Sequence, residues 1–239
     1  MTAQNSTTTH HFLEALDRAI GRYGLLQHPF YECWSAGELS RETLAEYAKQ
    51  YYTHVAAFPT YVSAVHARCD DLSVRQMLLE NLIEEERGPD NHPELWLRFG
   101  EGLGVDREDV LGAELLPRTE ASVGTMQRLT QSPDYRVGLA ALYAYESQIP
   151  EVAYTKREGL KSFYGIDDER TTAFFRVHET ADIWHRQVER DVLASRASDK
   201  ATRHRVLQSA EEAAQALWTF LDGVYEAYVP IDADPAATA

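Results

Sequence analysis

Only two cysteines, Cys33 and Cys69, occur in 239 residues. That is too few for a disulfide scaffold, and their spacing suits no thiolate metal site. Basic residues are also scarce, with 23 Lys and Arg against 38 Asp and Glu and a formal charge of -15. The deficit removes the basic patches that nucleic-acid or anionic-membrane partners require, so neither partner is expected. No apolar run reaches the roughly 20 residues needed to cross a bilayer. The polar start, Met1 to Thr9, lacks the apolar segment of a secretory signal. The expected compartment is therefore the reducing cytoplasm. Alternating strand patterns, internal repeats and low-complexity segments are lacking too, which disfavours β architectures and solenoids.

What the chain does have is helical periodicity. With 44% hydrophobic residues it can bury a large core within one domain. Ser40, Asp70-Asp71, Asn91 and Asp167-Asp168 read as helix caps, and Gly88-Pro89 and Gly165 read as stops. Pro59 is expected to kink the helix that carries Tyr47, Tyr51 and His54. The segment from Asp134 to Glu146 is apolar almost all round, which places it inside, and a long amphipathic helix follows from Ala201 to Tyr228. The expectation is an all-α, single-domain bundle of about seven or eight helices over residues 10–230. Residues 1–9 and 231–239 have the composition of disorder.

Within that pattern, His178, Asp182 and His185 stand at i, i+4 and i+7. On one continuous helix their side chains fall at about 0°, 40° and -20°, a single narrow stripe. Taken alone the stripe is equally a polar helix face. Two further groups sit in apolar surroundings: Glu85 with His92 across the Gly88-Pro89 break, and Glu146 at the end of the apolar helix. A buried carboxylate is costly unless paired, protonated or bound to metal. Three carboxylates and three imidazoles without a thiolate suit a pair of divalent cations, iron or manganese before structural zinc. The chain has no Glu-x-x-His pair, so a ferritin-type bundle is excluded.

In this order and at these intervals, Glu85-x6-His92, Glu146 and His178-x3-Asp182-x2-His185 resemble the haem-oxygenase-like di-iron oxidases. His28-Pro29-Phe30-Tyr31 through Trp34, and Asn91-His92 through Trp96, are similar to the branch named for a chlamydial protein associating with death domains. Members of that branch make 4-aminobenzoate for folate metabolism. The resemblance covers residues 10 to 228. It implies a haem-oxygenase-like bundle related to the thiaminases and the pyrroloquinoline quinone synthases, with Glu85, His92, Glu146, His178, Asp182 and His185 as ligands. The implied cofactors are two Fe, or Fe and Mn, used with O2 and an external reductant. It further implies a homodimer and a self-derived product, with Tyr31 as the source of the ring, Lys156 as the amine donor and Tyr145 beside the ligand glutamate. No external organic substrate is then needed. Phe174 departs from the branch, which has a tyrosine there.

Other readings remain at this stage. Lys156 also reads as an exposed helix lysine, and Tyr31 as a core aromatic. A dinuclear site can also act on an external amino acid or fatty acid, and a non-enzymatic interaction protein of the same fold is a further class. A thiaminase-type cysteine is expected between Tyr143 and Glu146, where none occurs. A cofactorless synthase with an acidic substrate needs basic residues that are lacking.

The helix reaching Glu85 ends in Glu84-Glu85-Glu86, where the helix dipole disfavours negative charge. Metal addition should slow amide hydrogen exchange across residues 80–95. Identical exchange with and without metal would count against ligation there.

Overall fold

A computed structural model describes residues 2–179 and 181–230, without the side chains of residues 2–6 and 181–183. The chain order is α1 (Thr2–Gly21), a 3-10 turn (Leu25–Gln27), α2 (Pro29–Ala36), α3 (Arg41–Arg68), α4 (Leu72–Glu86), α5 (His92–Gly102), α6 (Arg107–Leu111), α7 (Pro117–Thr130), α8 (Tyr135–Glu146), α9 (Ile149–Tyr164), α10 (Glu169–His178), α11 (Ala181–Arg196) and α12 (Lys200–Tyr228). Among the described residues there is no strand, and no helix is long and apolar enough to cross a membrane.

The all-α expectation holds, but the helical segments outnumber the seven or eight expected. Proline is one reason: Pro29, Pro93, Pro117 and Pro150 each sit in a first helical turn, where a missing N–H costs nothing and a new helix can begin. α1 begins at Thr2, inside the segment expected to be disordered. No glycine or proline precedes Gly21 to interrupt it. The tail expected to be disordered, residues 231–239, lies outside the described residues. Pro59 is accommodated within the single span of α3.

The expected caps form. Ser40 Oγ accepts from Thr43 N–H, the Asp71 carboxylate from Ser73 and Val74, Asn91 Oδ1 from Glu94 and Asp168 from Thr171. α8 lies at the centre, buried from Gly138 to Glu146. α12 covers it with small and large residues in alternation, Val206, Ala210, Ala213, Leu217 and Phe220, whose alanines permit close helix approach. α3 runs beside α4, α5, α7 and α8, while α10 lies against α5 and α9.

Two anchors position the interior chemistry. His28 caps α2: its Nδ1 accepts from Phe30 N–H at 3.0 Å, and its Nε2 lies 3.0 Å from Asp222 Oδ1, which fixes the tautomer with Nε2 as donor. Trp34, fully buried on α2, donates from Nε1 to the main-chain carbonyl of Lys156 on α9 at 3.1 Å. α9 comes this close because residue 159 is glycine. A Cβ there would lie 2.7 Å from Trp34 Cδ1.

Gly159→Ala should therefore destabilise the fold by about 1–3 kcal/mol through overpacking against a rigid indole. Thermal or denaturant unfolding measures it, and an unchanged midpoint would show that α9 does not need that closeness.

Candidate metal centre

Glu85 occupies the last turn of α4 and His92 opens α5, so the Gly88-Pro89 break folds the chain back and brings the two side chains together. Glu85 Oε2 lies 2.7 Å from His92 Nδ1. The contact lacks hydrogen-bond geometry, and His92 Nδ1 has no hydrogen-bond partner. His178 ends α10, with its ring 4.4 Å from that of His92. Its Nδ1 lies 2.7 Å from the Phe174 carbonyl, which places the proton on Nδ1 and makes Nε2 the nitrogen able to ligate a metal. One donor atom from each of Glu85, His92 and His178 lies within 4.8 Å of the others.

Glu146, at the end of α8, is beside this triad. Asn81 Nδ2 donates to its Oε1 at 2.8 Å, while its Oε2 has no hydrogen-bond partner among the described residues. His185 approaches from α11, with Nδ1 3.6 Å from Glu146 Oε1 and Nε2 3.3 Å from Glu84 Oε2. The Asp182 side chain lies outside the described residues.

The single stripe expected for His178, Asp182 and His185 is not continuous. α10 ends at His178 and Glu179 is its C-cap, so His178 and His185 belong to different helices. Glu179 still donates its backbone N–H to the Phe175 carbonyl, and its carboxylate is held by Arg157 of α9, whose Nε and Nη2 lie 2.5 and 3.2 Å from its oxygens. The two imidazoles reach the same region by convergence of two helices rather than along one face.

Electrostatics fit a cation. Burial, reinforced by the charge of Glu146, pushes the Glu85 carboxyl well above the usual carboxylate range. Burial pulls His92 down to about 4, so its ring is neutral at pH 7 and able to donate a lone pair. Carboxylate oxygens and imidazole nitrogens gathered in one buried cluster suit iron or manganese. Glu85, His92 and His178 would hold one ion, and Glu146 and His185 stand ready for a second.

A second system runs inward from Glu146. The preceding residue, Tyr145, has its hydroxyl 2.5 Å from that of Tyr51. Tyr51 stacks on Tyr47, one turn earlier on α3, with centroids 5.5 Å apart and planes at 20°. Tyr47 OH lies 3.1 Å from Tyr31 OH and accepts from Lys156 Nζ at 2.5 Å. Lys156 is buried, not exposed, and its Nζ lies 5.0 Å from the centre of the Tyr31 ring. Burial pushes its pKa well below the usual ammonium value, whereas burial pushes the Tyr31, Tyr47 and Tyr145 phenols well up. Phe174, where the resembling branch has a tyrosine, packs on His178 at 4.1 Å and on Trp96 at 4.8 Å.

Sequence reasoning left several residues unassigned. Tyr47 and Tyr51 are spaced i, i+4 on one helix, a signal visible in the sequence. Glu189, fully buried, follows His185 at i+4. Asn81 precedes Glu85 at i+4. His54 is fully buried amid Tyr51, Tyr145 and Phe220, neither ring nitrogen is hydrogen-bonded, and burial pulls it down to about 3.

A helical bundle around a buried carboxylate–imidazole cluster defines a non-haem metal oxidase with a haem-oxygenase-like fold. The fold is similar to that of a TenA homologue from Pseudomonas syringae (TM-score 0.76, 16% identity, 91% of this chain and 92% of that one). It is also similar to a CADD-like protein of unknown function from Nostoc punctiforme (TM-score 0.78, 17% identity, 94% and 100%). The family described as iron-containing redox enzymes matches residues 45–218, and the chain belongs to that family. It is 43% identical to a 4-aminobenzoate synthase of Nitrosomonas europaea over 92% of this chain and 93% of that one. It is 42% identical to a 4-aminobenzoate synthase of Chlamydia pneumoniae, over 92% and 97%. A pyrroloquinoline-quinone synthase of Acinetobacter baumannii is 26% identical over 93% and 88%.

Metal-free protein should gain thermal stability on adding divalent first-row metal, with up to two equivalents bound, because cations bind the folded state and neutralise the buried acids. Glu85→Gln should remove one equivalent and its stabilisation while leaving the metal-free protein at least as stable as the parent. A parent melting point indifferent to metal would overturn the site.

Proposed function

We propose that the protein is a 4-aminobenzoate synthase that makes its product from its own side chains, with Tyr31 supplying the ring and Lys156 the nitrogen. The observation that carries this reading is the buried Lys156 amine, 5.0 Å from the Tyr31 ring centre and joined through Tyr47 to a phenol chain ending beside Glu146. The names of the relatives at 42–43% identity support it. Iron, or an iron–manganese pair, held by Glu85, His92, Glu146, His178, Asp182 and His185 would supply activation of O2, with electrons from an external reductant.

The protein's own residues set up the rest. Burial favours the neutral form of the Lys156 amine, and that form has the lone pair for bond formation which an ammonium lacks. Tyr47 holds that amine with one contact and the Tyr31 phenol with another, so both reacting groups are oriented before the reaction, at no entropic cost of substrate binding. The stacked and hydrogen-bonded phenols give a hydrogen atom lost from Tyr31 a route toward Tyr145. In the overall change the Tyr31 Cα–Cβ bond breaks and Cβ becomes the carboxylate carbon. The ring C–O bond is replaced by C–N as the phenol oxygen leaves as water, nitrogen leaves Lys156 Cε, which ends as an aldehyde, and Tyr31 Cα keeps a hydrogen in place of its side chain. O2 is the oxidant, O2 or water supplies the carboxylate oxygens, and the external reductant supplies the remaining electrons. Each chain then reacts once. The setting we infer is cytoplasmic, where Cys33 and Cys69 remain thiols as they are here.

Protein expressed with ring-labelled tyrosine and side-chain-labelled lysine, reduced with iron or iron and manganese and then exposed to O2, should release 4-aminobenzoate carrying both labels. Tyr31→Phe should abolish that product with metal content unchanged. Undiminished product from this variant would transfer the reaction to an external substrate.

A further inference from the structure

The donors assigned to the centre are cut off from water: Glu85, His92, Glu146 and His185 are at most 4% exposed and His178 is 7% exposed. A cation arrives hydrated and loses its water in exchange for ligands, so the exchange has to begin where solvent and a ligand meet. Glu84 is that place. It immediately precedes Glu85 on α4, its side chain is 48% exposed, and its Oε2 lies 3.3 Å from Nε2 of the buried His185. The other nitrogen of the same ring faces inward, with Nδ1 3.6 Å from Glu146 Oε1. Glu146 is 2% exposed, and among the described residues its Oε2 has no hydrogen-bond partner, which leaves an acceptor on the interior side. The His185 imidazole therefore stands between a carboxylate in water and a carboxylate in the core.

We propose that Glu84 is the entry ligand for the metal centre. A divalent first-row cation binds first between Glu84 and His185 with part of its water retained, then passes to the Glu146 side as Glu84 returns to solvent. This rests on the metal-binding reading of the centre given above. Hydration competes with ligation at a half-exposed carboxylate, so Glu84 captures and releases, whereas the buried donors retain. The overall negative charge draws cations toward the molecule but selects no door; the Glu84–His185 contact does. Glu86 is exposed on the same turn but points about 200° around the helix from Glu84. It is a charge-matched control.

An entry ligand speeds arrival and departure alike and leaves the equilibrium affinity alone. Metal-free wild type, Glu84→Gln and Glu86→Gln are each mixed rapidly with cobalt(II), and its d–d absorbance is followed; release is timed by a chelator chase. Glu84→Gln should slow uptake about tenfold, within the range by which local charge alters association rates. Its release should slow by the same factor, with stoichiometry and Kd kept. Glu86→Gln should stay within about twofold of wild type, since no local contact is lost. The proposal is overturned if Glu84→Gln takes up metal at the wild-type rate, or if both variants slow equally, which indicates a diffuse field. It is also overturned if Glu84→Gln loses a metal equivalent, which makes Glu84 a resident ligand. Wild type that binds no cobalt sinks the centre itself, and this is distinct from all three.

Discussion

The mutual repulsion of buried carboxylates governs this molecule. Glu85 and Glu146 are both sealed from water and close enough that the charge of one raises the pKa of the other. The effective penalty for burying one such charge is several kcal/mol, against a total domain stability of about 5–15 kcal/mol. Hydrogen bonds relieve a small part of this: Asn81 serves one oxygen of Glu146, and the contact of Glu85 with His92 is not a hydrogen bond. The bundle tolerates the arrangement because the rest of the core, with α8 enclosed by α3, α7, α11 and α12, is apolar and closely packed. The strain is local, and it is located where a cation relieves it.

The amine side of the interior is the electrostatic mirror image. Lys156 sits among the rings of Tyr31, Trp34, Tyr47, Tyr51 and Trp96, with Nζ 4.8–5.8 Å from their centres. Aromatic faces attract a cation by about 0.5–2 kcal/mol. Burial outweighs that attraction and pushes the amine well below its usual pKa. The interior thus holds an acid pushed up, Glu85 in the carboxylate–imidazole cluster, and an amine pushed down, Lys156 among the aromatic rings, each with its charged form disfavoured by burial. Separating them keeps each from neutralising the other by a simple ion pair, which would deprive the amine of its lone pair.

The helices were legible in the sequence because each advertises itself locally, through apolar spacing, Ser, Asp or Asn caps, and glycine or proline stops. The Glu85–His92 approach was legible for the same reason, since the Gly88-Pro89 break can only fold the chain back nearby. What misled was the assumption that regular spacing means one helix. The interval from His178 to His185 fits a 3.6-residue period, yet α10 ends at His178 and α11 begins at Ala181. Neither glycine nor proline marks that interruption in the local sequence. The burial of Lys156 was hidden for a related reason: its neighbours Arg157 and Glu158 are polar, and only the docking of α9 on Trp34 across Gly159 turns this one side chain inward. Tyr47 and Tyr51 were visible as an i, i+4 pair, but their partners come from α2 and α8, so spacing alone gave them no role.

Trp34 grips Lys156 by its main-chain carbonyl and not by its amine. On the proposed chemistry, both reacting side chains are altered while the peptide link that docks α9 on α2 stays intact. His28 likewise caps α2 through the main chain at Phe30, without calling on the Tyr31 ring. A spent chain therefore keeps the joints that hold its outer form but carries a cavity the size of a tyrosine side chain deep in its core. Such a loss costs about 3–5 kcal/mol, a large share of a domain's total stability. The used molecule keeps its shape yet opens more often than a fresh one, so its own chemistry marks it for replacement.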